Sequence, residues 1–409
     1  MQSFEELRYW RFWPVFILSF FYPVNNSLIN LAVPLYYYQQ GFSTEIIGIL
    51  AAGVTYSYIF SPILLNKISQ KIRRKTSIIG ALIGIFASEM IFYFTLQPIP
   101  FIISRFSEGI FMGLYWPNIQ SSISDNIFHE HSKLTAKYNI SWNSGNLCGF
   151  LLGAVLLFIF KVLVLIFYIA PLLIFLNLII GILAFQEPKK INKHSEEFRR
   201  YLKENEKVTL TKAVKIQKER DDFMKISFSL LFPVLLTISY CFTRGSINFL
   251  YPIKSEVLGF EPYTVYIATF FFAISQTISL TFASLMKLKY FKSIPALSLI
   301  MIVILLPLVG LNTNYWVFVV LFFLIGFCTG ILYGVSLRMI LMLNIKRKTS
   351  KYSGIVESLI GLGFLIAPII AGFIAGINLN FTFYILAIFL LILGFLLIYL
   401  SIMNVKYIK

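Results

Sequence analysis

The sequence predicts an all-α integral membrane protein, with twelve transmembrane helices arranged as two pseudo-symmetric six-helix bundles. Three observations carry this. Of the 409 residues, 58% are hydrophobic and only 13% are charged, about half the charge of a soluble domain. Apolar runs of about twenty residues, the length that crosses a bilayer core, recur from end to end. The chain also echoes itself at a fixed offset: Ile29, Asn30, Pro34, Gly41 and Phe42 return 218 residues later as Ile247, Asn248, Pro252, Gly259 and Phe260. The run from Gly145 meets the run from Gly363 at the same offset, pairing Gly149 with Ala367, Gly153 with Ala371 and Ala154 with Gly372. Two echoes at one offset argue for a duplicated unit. In a membrane chain such repeats place a site at their interface.

Taken in order, the expected spans are 12–37, 45–66, 76–97, 99–124, 138–160, 162–185, 226–250, 263–285, 293–311, 315–342, 352–377 and 380–403. Backbone polar groups in lipid must be paired within the segment, so these are helices. The alternation of a membrane barrel is absent. The first run follows Arg8 and Arg11, is long for a signal peptide and lacks an A-x-A cleavage site, so it reads as a retained first helix. The expected units are an N-terminal bundle (1–186), a charged linker (187–225) and a C-terminal bundle (226–409). In the linker, Phe198, Tyr201 and Leu202 have the spacing of a short amphipathic surface helix; the reading preferred is a solvated tether between the halves.

Charge placement gives the orientation. Thirty Lys and Arg fall on the side shared by both termini and the linker, against Lys161 and Lys254 on the other. By the positive-inside rule both termini are cytoplasmic, and the expected location is the plasma membrane. The net charge of +17 is thereby explained without nucleic acid. Cys148, Cys241 and Cys328 lie in apolar runs, with neither disulfide nor metal spacing. No P-loop, nucleophile elbow or dinucleotide fingerprint occurs at the required spacing, so neither an enzyme nor a cofactor is expected.

Six ionisable residues fall inside spans: Arg105, Arg244, Arg338, Glu89, Glu108 and Glu357. At membrane depth each costs about 2.5–3.5 kcal/mol on insertion scales and is a functional candidate. Counting outward from the turn at Gln97–Pro100 puts Glu89 level with Arg105 and Glu108, which are three apart on one helix face. Two carboxylates sharing one arginine cannot both ionise freely, which suggests a proton site. The alternative is a fixed Arg105–Glu108 pair with Glu89 against a polar neighbour. Arg244 sits among Thr237, Ser239, Tyr240, Thr243, Ser246 and Asn248, and at the 218 offset it faces Asn26, beside Asn25, Ser27 and Asn30. A wet cavity between spans one and seven would satisfy this density of polar groups. Arg244 then holds an anionic or polar substrate group, or else packs against backbone carbonyls. Arg338 and Glu357 are matched in depth near the ends of spans ten and eleven, predicting an ion pair at the inner mouth, as a gate or a brace. Trp116 and Trp142 lie within spans four and five, as cavity lining or core. Gly145, Gly149 and Gly153 form a small-residue stripe that lets helices approach closely, or flex.

These features together resemble the major facilitator superfamily, over essentially the whole chain. The stretch N-K-I-S-Q-K-I-R-R-K, Asn66 to Lys75, is similar to that family's basic signature between spans two and three. Lys71, Arg74 and Lys75 fit it; Gln70 stands where an acid belongs, and Asn66 and Arg73 replace glycines. Span four has the R-x-x-x-G pattern at Arg105 and Gly109, followed by Trp116-Pro117-Asn118. Span five is similar to the antiporter motif, with Phe150 in place of its proline and Ala154 of its last glycine, while span eleven keeps Pro368. The resemblance implies alternating access, with spans one, four, seven and ten lining a cavity, which suits Asn25, Arg105, Arg244 and Tyr333. The expectation is a secondary transporter for a small molecule, driven by an ion gradient, most simply protons, and acting as a monomer. The degenerate antiporter motif leans toward export of drug-like or amphipathic compounds; Arg244 favours the alternative, uptake of a sugar or organic anion.

Overall fold

The computed structural model describes residues 13–69, 72–124, 131–186, 230–347 and 351–403. The linker, Arg8, Arg11 and Lys71 lie outside the described residues. The N-terminal half contains α1 (Trp13–Gln39), α2 (Thr44–Ala51), α3 (Gly53–Tyr58), α4 (Ser61–Ser69), α5 (Arg74–Glu89) with a 3-10 turn at Met90–Tyr93, α6 (Pro98–Ser124), α7 (His131–Phe160) and α8 (Val164–Ala184). The C-terminal half contains α9 (Leu231–Val257), α10 (Pro262–Leu285), a 3-10 turn at Leu288–Tyr290, α11 (Ser293–Leu311), α12 (Tyr315–Arg347), α13 (Lys351–Ile377) and α14 (Leu379–Met403). Nine of the described segments are long and apolar enough to cross a membrane. The rest are α6 and α9, which carry Arg105 and Arg244, and the segment formed by α2, α3 and α4.

That segment departs from the single helix expected at 45–66. It breaks after Ala51 and again after Tyr58. Pro62 has no N–H to give to the carbonyl four residues earlier, which opens the second break. Bonds to α6 hold the pieces in place: Ser57 Oγ donates to the Phe106 carbonyl at 2.6 Å and Ser61 Oγ to that of Gly109 at 2.9 Å. A Cβ on Gly109 would strike Val54 O, and one on Gly113 would strike Ser61. Small residues on α6 thus let a broken helix lie against it.

The duplication is visible in backbone geometry. α1 and α9 both end on a left-handed glycine, Gly41 at φ +79° and Gly259 at φ +72°. Gly41 N–H bonds Tyr38 O and Phe42 N–H bonds Tyr37 O; Gly259 N–H bonds Glu256 O and Phe260 N–H bonds Ser255 O. Each bond recurs 218 residues on. These glycine-terminated helix ends explain the conserved spacing of the echo, since a side chain is strained at that φ.

The halves meet by backbone contact at the Gly41/Gly259 end. α2 packs on α13, where a Cβ on Gly48 would lie 2.5 Å from Pro368 O, and Thr44 Oγ donates to Gly372 O at 2.9 Å. α7 packs on α10, with Gly153 under the Tyr266 ring, and Tyr266 Oη donates to Leu28 O at 2.7 Å. At 218 residues' offset, Gly48 corresponds to Tyr266, so the two seams use equivalent positions of the repeat. Gly145 and Gly149 meet the Phe20 and Val24 carbonyls of α1, so the glycine stripe is a packing surface throughout.

α9 runs to Val257, seven residues beyond its expected end at 250, which corrects the placement of Lys254 in an outer connection. The side chain is 3% exposed, and its ammonium donates to the Gly310 carbonyl and, at 2.8 Å, to Asn380 Oδ1.

Candidate functional site

The N-terminal half holds a buried polar cluster. Arg105 Nη1 of α6 lies 2.5 Å from Glu108 Oε2, one turn on. Tyr22 Oη, from α1, donates to Glu108 Oε1 at 2.8 Å and lies 3.1 Å from Met112 Sδ. Asn25 Nδ2, one turn along α1, donates to Glu89 Oε1 at 2.6 Å. Glu89 and Glu108 are fully enclosed and Arg105 is 3% exposed. Counting depths around the Gln97–Pro100 turn brought these three together. Tyr22 and Asn25 come from a helix more than sixty residues away and complete the cluster. Ser104 Oγ donates to Ser88 O at 2.6 Å, fixing α6 against α5 beside Glu89.

The C-terminal half presents a different site. Arg244 Nη1 donates to Tyr240 Oη at 2.9 Å and to Gln276 Oε1 of α10 at 3.0 Å. Nη2 and Nε have no partner among the described residues, and no described carboxylate pairs with the guanidinium. Tyr240 stacks on Tyr333 of α12, centroids 4.6 Å apart, and the Trp142 ring from α7 meets Tyr333 edge-on at 6.1 Å. Gln276 Nε2 is a buried donor without a partner among the described residues. Gln276 was not singled out from sequence; an amide between Ser275 and Thr277 in mid-span was the available signal. Asn26, Asn30 and Asn248 are half-buried and unbonded to described residues. Asn30 and Asn248, equivalent by the repeat, lie on α1 and α9. Trp116 sits among Tyr22, Tyr115 and Tyr138, at 5.6, 5.3 and 6.3 Å.

A third group bridges the halves. Glu357 of α13 accepts from Tyr58 Oη at 2.8 Å and from Gln120 Nε2 at 2.9 Å. The expected partner, Arg338, instead donates to the Met286 carbonyl at 2.7 Å and lies over the Phe291 ring at 5.1 Å. The physical reason is the end of α10, whose last carbonyls lack helical partners and attract a cation. Arg74 and Lys75 open α5, half-buried. Among the described residues no group of three or more His, Cys, Asp or Glu is placed to hold a metal.

The sequence profile described as Major Facilitator Superfamily matches residues 15–295 and 233–406. No curated protein matches the sequence. Among solved structures, the chain is similar to a bacterial homolog of the human lysosomal transporter Spinster, inward-facing and occupied, with TM-score 0.74, 11% identity and coverage of 95% of this chain and 96% of that one. It is similar to the xylose transporter XylE from E. coli in a partially occluded inward-open conformation, with TM-score 0.73, 14% identity and coverage of 97% and 98%. It is also similar to the nucleoside transporter NupG, with TM-score 0.68, 14% identity and coverage of 95% and 98%.

Proposed function

The chain belongs to the Major Facilitator Superfamily, and on that premise we propose that this membrane transporter carries a small organic anion by alternating access, coupled to protons. One observation carries the reading: among the described residues, Arg244 is enclosed within the C-terminal half with no carboxylate against it and one edge of its guanidinium unclaimed. An arginine kept charged in a membrane without a counter-ion calls for an anion from outside the protein. Gln276 Nε2 adds a second donor, and the aromatic group of Tyr240, Tyr333 and Trp142 suits an apolar or planar body. The N-terminal cluster, with two carboxylates to one arginine, is the candidate proton-coupling element.

The Gly41/Gly259 end, read as the outside, is sealed by backbone packing, while Tyr58, Gln120 and Trp142 bridge to Glu357 and Tyr333 further in. Rocking the halves would break these side-chain ties while the glycine seams serve as the alternate closure. Uptake is the direction proposed, with both termini in the cytoplasm of the plasma membrane and the monomer as the working unit. The second reading is export of drug-like or amphipathic compounds, toward which the span-five motif leans; its glycines also pack against α1 and Tyr266. A thermal-shift screen of the purified protein against panels of carboxylates, organic phosphates, neutral sugars and cationic drugs tests the reading, because a ligand that binds only the native state raises the melting temperature. Stabilisation by an anion that vanishes in Arg244→Ala supports it. Stabilisation only by cations or sugars, equal in Arg244→Ala, refutes it.

A further inference from the structure

Asn25 and Glu89 are both fully buried, and each leaves one atom unmet. Asn25 Nδ2 donates to Glu89 Oε1 at 2.6 Å, while Asn25 Oδ1 and Glu89 Oε2 have no hydrogen-bond partner among the described residues. Both unmet atoms are acceptors if Glu89 is ionised, because a carboxylate accepts only and an amide oxygen accepts only. Two unmet acceptors in one enclosed contact are a costly arrangement. Of the donors nearby, Tyr22 Oη and Arg105 Nη1 both serve Glu108, and among the described residues only Asn25 donates to Glu89. The other titratable groups around Glu89 are Tyr93, on its own segment, and Tyr168 of α8, which stacks on Tyr93.

A proton on Glu89 Oε2 changes this count. It turns that oxygen into a donor, and Asn25 Oδ1 belongs to the same planar amide whose Nδ2 already reaches the carboxyl. Acid and amide can then close an eight-membered ring of two hydrogen bonds, O–H to Oδ1 and N–H to Oε1, with neither group left unmet. Glu108 keeps its charge against Arg105. We propose that Glu89 is a carboxylic acid in this conformation, its proton shared with Asn25, and that this acid–amide pair is the binding site of the coupling proton. A metal cation is poorly served, since hard cations gather several oxygens and the two unmet atoms supply two. The inference takes its meaning from the proton-coupled carrier reading, but its test is independent of transport.

The test is infrared difference spectroscopy on the full-length protein in lipid nanodiscs at neutral pH, without substrate, in sodium-free buffer. The wild type should show a carboxylic-acid C=O stretch that Glu89→Gln removes and that Glu357→Gln, far from Arg105, retains. Asn25→Leu should move the band to the frequency of a carbonyl released from its hydrogen bond, or abolish it. Glu89→Gln should fold, because the glutamine amide reproduces the ring by donating to Asn25 Oδ1. An absent acid band, a band that survives Glu89→Gln, or one lost on adding sodium chloride at fixed pH would overturn the assignment; so would indifference of the band to Asn25→Leu. Loss of anion stabilisation with the Glu89 band intact would sink the substrate reading and leave this one standing.

Discussion

Tyr58 and Glu357, 299 residues apart, share a 2.8 Å hydrogen bond that crosses from one half of the molecule to the other. Gln120 adds a second bond to the same carboxylate, so one side chain of α13 holds both α3 and α6. A hydrogen bond to a charged group contributes about 1.5–3 kcal/mol, enough to shift a two-state balance roughly tenfold or more. Tyr58→Phe should therefore favour separation of the halves at this end. Spin labels at Ile72 and Lys289, exposed and on opposite halves, in a background without Cys148, Cys241 and Cys328, should report a larger long-distance population. An unchanged distance distribution would show that this contact does not hold the seam.

Gln276 fixes Arg244 from α10. Replacing it with Leu leaves the guanidinium bonded to Tyr240 alone and removes the unpartnered Nε2 donor. The expected result is a KM raised about tenfold, the low end of the range for losing a bond to a charged group, with kcat largely held. Flux of the anion found by thermal shift, measured in proteoliposomes, checks this. A fall in kcat at constant KM would mean that Gln276 acts in the conformational step rather than in binding.

What the sequence made legible follows from what sets each feature. The glycine-ended helices at Gly41 and Gly259 are local, so their shared geometry left a matching pattern in the sequence, although the expected span end at 250 fell short of the observed Val257. Glu89, Arg105 and Glu108 came together by counting residues about one tight turn. Depth alone also suggested Arg338 with Glu357, and there it failed: equal depth does not fix the direction in which a side chain leaves its helix. Arg338 turns to the open end of α10 and Glu357 to Tyr58 and Gln120. Gln276, Gln120 and Tyr58 passed unnoticed because they are uncharged, and their partners depend on how segments far apart in sequence dock. The break in the second segment was signalled by Pro62, but the bonds that make it tolerable come from α6.

The glycine seam gives a paired test. A Cβ on Gly48 would lie 2.5 Å from Pro368 O, whereas one on Gly80 meets nothing within 4 Å. Gly48→Ala should push α2 from α13, at a cost of about 1–3 kcal/mol for overpacking, and lower the melting temperature. Gly80→Ala should leave it unchanged or raise it slightly, since alanine is the better helix former by about 1 kcal/mol. Equal behaviour of the two variants would mean that the Gly48 contact relaxes without cost.

Lys254 offers the sharpest test of how the C-terminal half is held. Its ammonium is buried with no described carboxylate against it, bonded to the Gly310 carbonyl and to Asn380, and flanked by the Phe318 and Phe383 rings at 5.7 and 5.5 Å. Gly310 lies in the last turn of α11, where carbonyls lack helical partners and a cation is favoured. Removing the charge also removes its desolvation cost, so the sign depends on which effect is larger. On one side stand four favourable contacts to a single ammonium, two of them hydrogen bonds worth about 1.5–3 kcal/mol each when charged; on the other stands the hydration lost at a buried helix end. If the contacts prevail, Lys254→Met, which keeps the apolar stem, lowers the melting temperature and speeds amide exchange at the end of α11 and the start of α14. A variant that melts higher than the wild type would show that the buried ammonium costs more than its contacts return, and that α9, α11 and α14 are held by apolar packing instead.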